Sequence, residues 1–158
     1  MKSAEFATFN RLADEMTFYH TMLRSSWDQL YAGSDVKSKL PASKVIAIGI
    51  QFCRHLTVHH NIEETTWFPV LAKKMPGFRE GEFAKTQHQE MHKGLDVLHP
   101  YLIECQKGAR DFRREEVRTI MDSFSGILWQ HMDEEVVELG AQSMKRYWTL
   151  EEMKRMPF

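Results

Sequence analysis

Eight histidines occur in these 158 residues, and their spacing is the chain's most telling feature. Six of them carry a His, Asp or Glu four positions later: His55 (His59), His59 (Glu63), His60 (Glu64), His88 (His92), His92 (Asp96) and His131 (Glu135). Chance placement would give about 1.5 such pairs. Residues four apart lie one turn above each other on a single helix face. Several of these groups also interrupt stripes that are otherwise apolar. Glu63 and Glu135 stand where leucine is expected, each one turn beyond a core-facing histidine, and His20, His88 and His92 face inward as well. A carboxylate on a core face is costly unless it is paired or bound to a cation. The candidate metal ligands are therefore His20, His59, Glu63, His88, His92, His131 and Glu135.

Seven ligands are too many for one tetrahedral zinc. Five imidazoles and two carboxylates suit two six-coordinate ions bridged by the carboxylates. Mixed nitrogen and oxygen ligation favours iron over magnesium or calcium, which prefer oxygen alone. No histidine has Glu three residues before it, which disfavours the ferritin-like di-iron pattern. The HExxH signature of zinc proteases is absent too.

These groups need long helices to position them. Breaker residues cluster at 33–41, 76–81 and 107–111 and cut the chain into segments at about 3–32, 42–75, 82–107 and 112–143. Each carries a helical stripe, such as Phe9, Leu12, Met16, His20, Leu23, Trp27 and Leu30 in the first. There is no sustained strand alternation. The expectation is an all-α protein, an up-down-up-down four-helix bundle over 1–143 followed by a tail at 144–158 with a short C-terminal helix. Thr149 and Glu152 have capping-box spacing for that helix. Asp111 is expected to cap the fourth long helix, and Pro100 to kink or end the third. At about 1.5 Å per residue, the helices can bring the candidate ligands to similar depth.

Composition narrows the function classes. Lys plus Arg total 21 and Asp plus Glu 22, giving a net charge of −1. That balance offers no electrostatic argument for nucleic acid or an anionic membrane. The longest apolar run, VIAIGIQF, is far short of a membrane span, and no signal peptide is visible. Two cysteines, Cys53 and Cys105, make no disulfide framework and read as buried thiols in a reducing compartment, so a cytoplasmic protein is expected.

A lone His in the first helix, HHNIEETTWFP at 59–69, HQEMH at 88–92 and HMDEE at 131–135 follow one another in order. In this series, over about residues 10–140, the sequence resembles the hemerythrin and hemerythrin-like (HHE cation-binding) family. The resemblance implies two iron ions, with zinc or manganese less favoured. His20 and His59 would bind one ion, and His88, His92 and His131 the other. Glu63 and Glu135 would bridge them, with an oxo or hydroxo group completing the centre. The ion with two histidines would keep a position open for O2 or a substitute. The fourth motif departs from the oxygen carriers, which have Asp five residues after the histidine, where this chain has Val136. Glu135 at +4 resembles the broader hemerythrin-like group.

The expected function is a non-haem di-iron protein that binds and activates O2 or a related small oxidant, as an oxidoreductase with a small-molecule substrate. The alternative is a non-enzymatic O2 or NO carrier, an iron store, or an iron or oxygen sensor. No nucleotide or flavin motif is visible, so electrons would come from a partner or from the substrate.

Periodicity alone leaves His59/Glu63 and His60/Glu64 as rivals; family spacing, ten residues before Pro69, favours the first pair. His60, Glu64 and His55 are then neighbours of the centre that orient ligands or meet solvent. His99, beside Pro100, reads as a surface residue. Trp27, Trp67 and Trp129 read as core, and the tail as a helix packed on its own bundle.

Overall fold

The computed structural model describes residues 2–158. Among them the secondary structure is entirely helical: α1 (Ser3–Gly33), α2 (Ala42–Ile62), a π-helical turn (Glu63–Trp67), α3 (Phe68–Leu71), α4 (Phe83–Gln106), α5 (Arg114–Glu138), α6 (Ala141–Tyr147) and α7 (Leu150–Arg155). The stripe on α1 is buried along its whole length, from Phe9 to Leu30. No described helix is long and apolar enough to cross a membrane.

The long helices form a ring, in which α1 packs on α2 and α5, and α4 packs on the same two. Facing residues run in opposite order on α1 and α2. A Cβ on Gly33 would touch Val45, and one on Gly49 would meet Leu30 as well as Leu102 of α4. Further along, Trp27 lies 5.4 Å from Phe52 and His20 lies 5.5 Å from His59, ring to ring. The same reversal holds for α4 and α5. There the lack of a side chain on Gly94 matters, because a Cβ would fall 2.2 Å from Phe124. That close approach sets how near His88 comes to His131.

Both arginines near the start of α5 serve the end of α1. Arg114 donates to the carbonyls of Gly33 and Leu40, and Arg118 donates to Tyr31 O and to Ser34 Oγ. The bonds to Gly33 O and Tyr31 O add partners for carbonyls in the last turn of α1.

The apolar core has two parts. One contains Leu23, Trp27, Phe52, Leu56, Leu95, Leu102, Phe124 and Leu128. The other contains Leu12, Met16, Phe68, Leu71, Phe78, Leu139, Met144 and Met153, with α6 and α7 folded against the end of the ring. Between them, at the level of His20, His59, His88 and His131, the interior is polar.

Two local expectations are corrected, and a third is narrowed: Pro100 does not end α4, which continues through it to Gln106; the proline is exposed, so solvent can replace the hydrogen bond that it removes. Asp111 does not cap α5, which begins after Arg113. The Tyr101 hydroxyl instead binds that entry, accepting from Arg113 N at 2.9 Å and contacting Arg113 O at 3.2 Å. The second segment is not one uniform helix. At the π turn the N–H of Phe68 bonds the carbonyl of Glu63, which inserts an extra residue into the helical repeat. The Thr149 capping box does form at the start of α7.

Candidate metal centre

Each long helix contributes to the polar layer: His20 from α1, His59 and His60 from α2, His88 from α4, and His131 and Glu135 from α5; Glu63 opens the π turn. All are buried except His59, which is partly so. Two groups have ligand atoms close enough to share an ion: His20, His59 and Glu135, and separately His60, Glu63, His88 and His131.

The two carboxylates span these groups. Glu135 Oε1 lies 3.3 Å from His20 Nε2, while its Oε2 lies 3.3 Å from His131 Nε2. Glu63 Oε1 lies 2.5 Å from His59 Nε2, while its Oε2 lies 3.6 Å from His88 Nε2. Each carboxylate thus turns one oxygen to each histidine pair. None of the four carboxylate oxygens makes a well-directed hydrogen bond, nor do His20 Nε2 and His59 Nε2. Both ring nitrogens of His60 are likewise without partners.

Neighbouring side chains set the histidine tautomers. His131 Nδ1 is 2.9 Å from Gln87 Oε1. Gln87 is oriented by its own Nε2, which donates to Glu134 Oε2 at 2.6 Å. His131 therefore carries its proton on Nδ1 and turns a bare Nε2 inward. Glu64 Oε1, 3.2 Å from His88 Nδ1, imposes the same tautomer on His88. The two Nε2 atoms then face each other at 3.1 Å, both with lone pairs and neither with a proton. A cation between them relieves that contact. The residues present accordingly fit metal ions bridged by Glu63 and Glu135.

Electrostatics agree with ligands held ready for metal. Burial pushes His59 down to about 4 and His88 down to about 3, the latter aided by His131. Burial also lowers His60 strongly. The Glu63 carboxyl is driven well above the usual range by burial and by facing Glu135. Burial opposes ionisation of Glu135 too, but the imidazoles of His131 and His20, each 3.3 Å from one of its oxygens, hold it well below that range. Without metal, the carboxyl pair thus shares one proton.

This has a consequence for stability. Unfolded histidines titrate near 6.5, above the folded values of about 4 for His59 and about 3 for His88. Between these limits the unfolded chain binds more protons, so stability falls as pH is lowered. Thermal melts of metal-free protein should show a Tm that declines from pH 7 to pH 5, as stability falls by up to about 1.4 kcal/mol per pH unit for each histidine, partly offset by Glu63, whose raised carboxyl acts with the opposite sign. A flat profile would contradict this electrostatic account.

Six of the seven sequence candidates meet in the two groups: His20, His59, Glu63, His88, His131 and Glu135. His92 stands in neither. It is half-buried, with its ring 5.5 Å from that of His60. His60, expected as a neighbour, occupies the interior, stacked on His88 at 3.8 Å. Glu64 is such a neighbour, holding His88. His55 is exposed and lines a cavity beside His59. Sequence reasoning missed Gln87 and Glu134. Their signal was a glutamine adjacent to His88 and an acid three residues after His131, both on flanks of the ligand stripes. Cys53 and Cys105 lie in the apolar core away from the centre, and burial pushes the Cys53 thiol up to about 12.

Comparison with known proteins gives two findings. The family model of the hemerythrin HHE cation binding domain matches residues 11–139. Among curated proteins the chain is similar to the dimeric xanthone biosynthesis cluster protein R11 of Cryptosporiopsis sp. (strain 8999), at 25% identity over 151 residues. That alignment covers 87% of this chain and 55% of the relative, so the chain spans about half the relative's length. No solved structure matches.

Proposed function

From the premise that this chain belongs to the hemerythrin HHE cation-binding family, we propose that it is a non-haem di-iron protein that binds and activates O2 or a related small oxidant. We read its four long helices as the family's up-down-up-down bundle. The observation that carries the reading is the double span of Glu63 and Glu135, each with one oxygen toward His20/His59 and one toward His88/His131. Imidazole and carboxylate without thiolate is a donor set that iron takes readily. An iron pair bound there supplies redox-active metal with exchangeable positions.

The rest is the work of this chain's own residues. His20, His59, His88 and His131, one from each long helix, would hold the ions. Gln87 and Glu64 fix the tautomers that make two of these imidazoles donors. Phe68, 5.4 Å from His88, and His60 on its other flank close the His88/His131 side. The His20/His59 side adjoins a cavity lined by His59 and Glu63, the approach for a small oxidant.

The test is anaerobic loading with ferrous iron, metal quantitation, and then an O2 pulse followed optically and with an electrode. About two irons per chain and net O2 consumption are expected. Uptake that reverses under argon would replace the reading with a carrier. Stable loading by zinc with no retention of iron would overturn it.

A further inference from the structure

The cavity beside His59 is larger than a diatomic gas needs. Its volume is about 560 Å³, within the range of small-molecule sites, roughly 300–1,000 Å³. It lies between α1 and α2, reaching from Glu15 to Ser26 on the first helix. Eleven residues of helix make a trough about 16 Å long. His59 and Glu63 form part of its wall, so whatever fills the trough lies against the metal ligands.

The walls state the chemistry of the occupant. Met16, Met22, Val58, Trp67 and Phe158 give apolar and aromatic surface. Trp67 and Phe158 are stacked face to face at 4.9 Å, a flat wall at the end near Glu63. Thioethers and aromatic faces favour a flat aromatic guest. Among the described residues no Lys or Arg lines the trough, while Glu15 and Glu63 do, which leaves a phosphate, sulfonate or carboxylate without an ammonium or guanidinium partner. Ser26, Gln51 and His55 gather at the end away from the Trp67 wall and offer hydrogen bonds to a hydroxyl or carbonyl.

A second observation points to the same place. Tyr19, Met22, Val58 and Ile62 are among the large hydrophobic residues that remain about half exposed, Val58 at 55% and Met22 at 54%. All four line this trough. An exposed apolar patch around a concave opening marks a binding site.

We propose that this trough binds a neutral, phenol-type aromatic molecule of two or three fused rings, lying along α1 and α2 with one edge against His59 and Glu63. The assignment deepens the proposed function by naming the substrate class of the same centre, and rests on that reading for its catalytic meaning. Binding itself is a property of the trough and is measurable without metal.

The probe is 1-naphthol, titrated into metal-free and iron-loaded protein by calorimetry and by quenching of tryptophan fluorescence, since Trp67 lies in the wall. Saturable one-to-one binding is expected, at least tenfold weaker for naphthalene-1-sulfonate. Met22→Trp and Ser26→Trp, which fill the trough without touching a ligand, should each weaken naphthol at least tenfold while iron content stays at the wild-type value. Naphthol binding that ignores both substitutions, or equal affinity for the sulfonate, would overturn the proposal. So would a stable dimer broken by the same substitutions with no naphthol bound, which would make the face an interface between copies. Normal iron loading and O2 uptake without naphthol binding sinks this inference alone. Naphthol binding in protein that never retains iron sinks the metal reading alone.

Discussion

Glu63→Gln is expected to cut metal retention from about two ions per chain to one or none, and at the same time to stabilise the metal-free protein. The two effects have opposite signs because the same carboxyl plays opposite parts in the two states. With metal, its two oxygens reach the His59 and the His88 sides at once. An amide offers one neutral oxygen in their place, and the bridge is lost. Without metal, Glu63 is buried against Glu135 and the two carboxyls compete for one proton, so a neutral amide that can donate to Glu135 removes that conflict. Metal analysis after anaerobic loading, paired with melts in chelator, checks both signs. Full metal retention, or a metal-free variant that melts below the wild type, would remove Glu63 from the bridging position.

The second large effect is expected from a residue that touches no metal. Gln87→Leu should weaken metal binding roughly 10–100-fold. Gln87 Oε1 accepts from His131 Nδ1, and Glu134 holds the amide in that orientation. Leucine keeps the bulk but leaves a buried imidazole N–H unpaired, so His131 can turn its bare nitrogen away from the centre. Glu134→Gln keeps a hydrogen-bonding group opposite Gln87 and should weaken metal only slightly. A competition titration against a chelator of known affinity distinguishes the two variants. Equal affinities would mean that His131 is held by packing alone.

The all-helical class and most of the residues that gather in the two donor groups were legible because helical periodicity is a local property. His20, Glu63 and Glu135 each break an apolar stripe, and no tertiary information is needed to see that. That His60 stands inside the polar layer and His92 outside both donor groups was not legible. His88 and His92 share a face of α4, and a stripe treats them alike, but only one turn of α4 meets the level of His131. His92 lies a turn away, about 5.4 Å along the axis, and so leaves both donor groups. His60 gains the interior by stacking on His88 of α4, a contact between helices that a stripe along α2 does not state. The π turn was invisible for a similar reason: EETTW has no breaker, and the extra residue is accommodated by tertiary contacts of Trp67 and Phe68. The continuation of α4 past Pro100 depended on exposure of that turn, which sequence does not state.

The polar layer divides the apolar interior into two clusters. In a continuous core, each half would be glued to the other by contact area. Here the join includes His and Glu side chains from four helices, so a metal bound among them would act as a rivet between the two clusters. Such a rivet would couple their cooperativity: with it, opening one half would strain the other, and without it the half carrying α6 and α7 would open more readily. Metal supply would then govern how long the molecule survives proteolysis as well as what it reacts with.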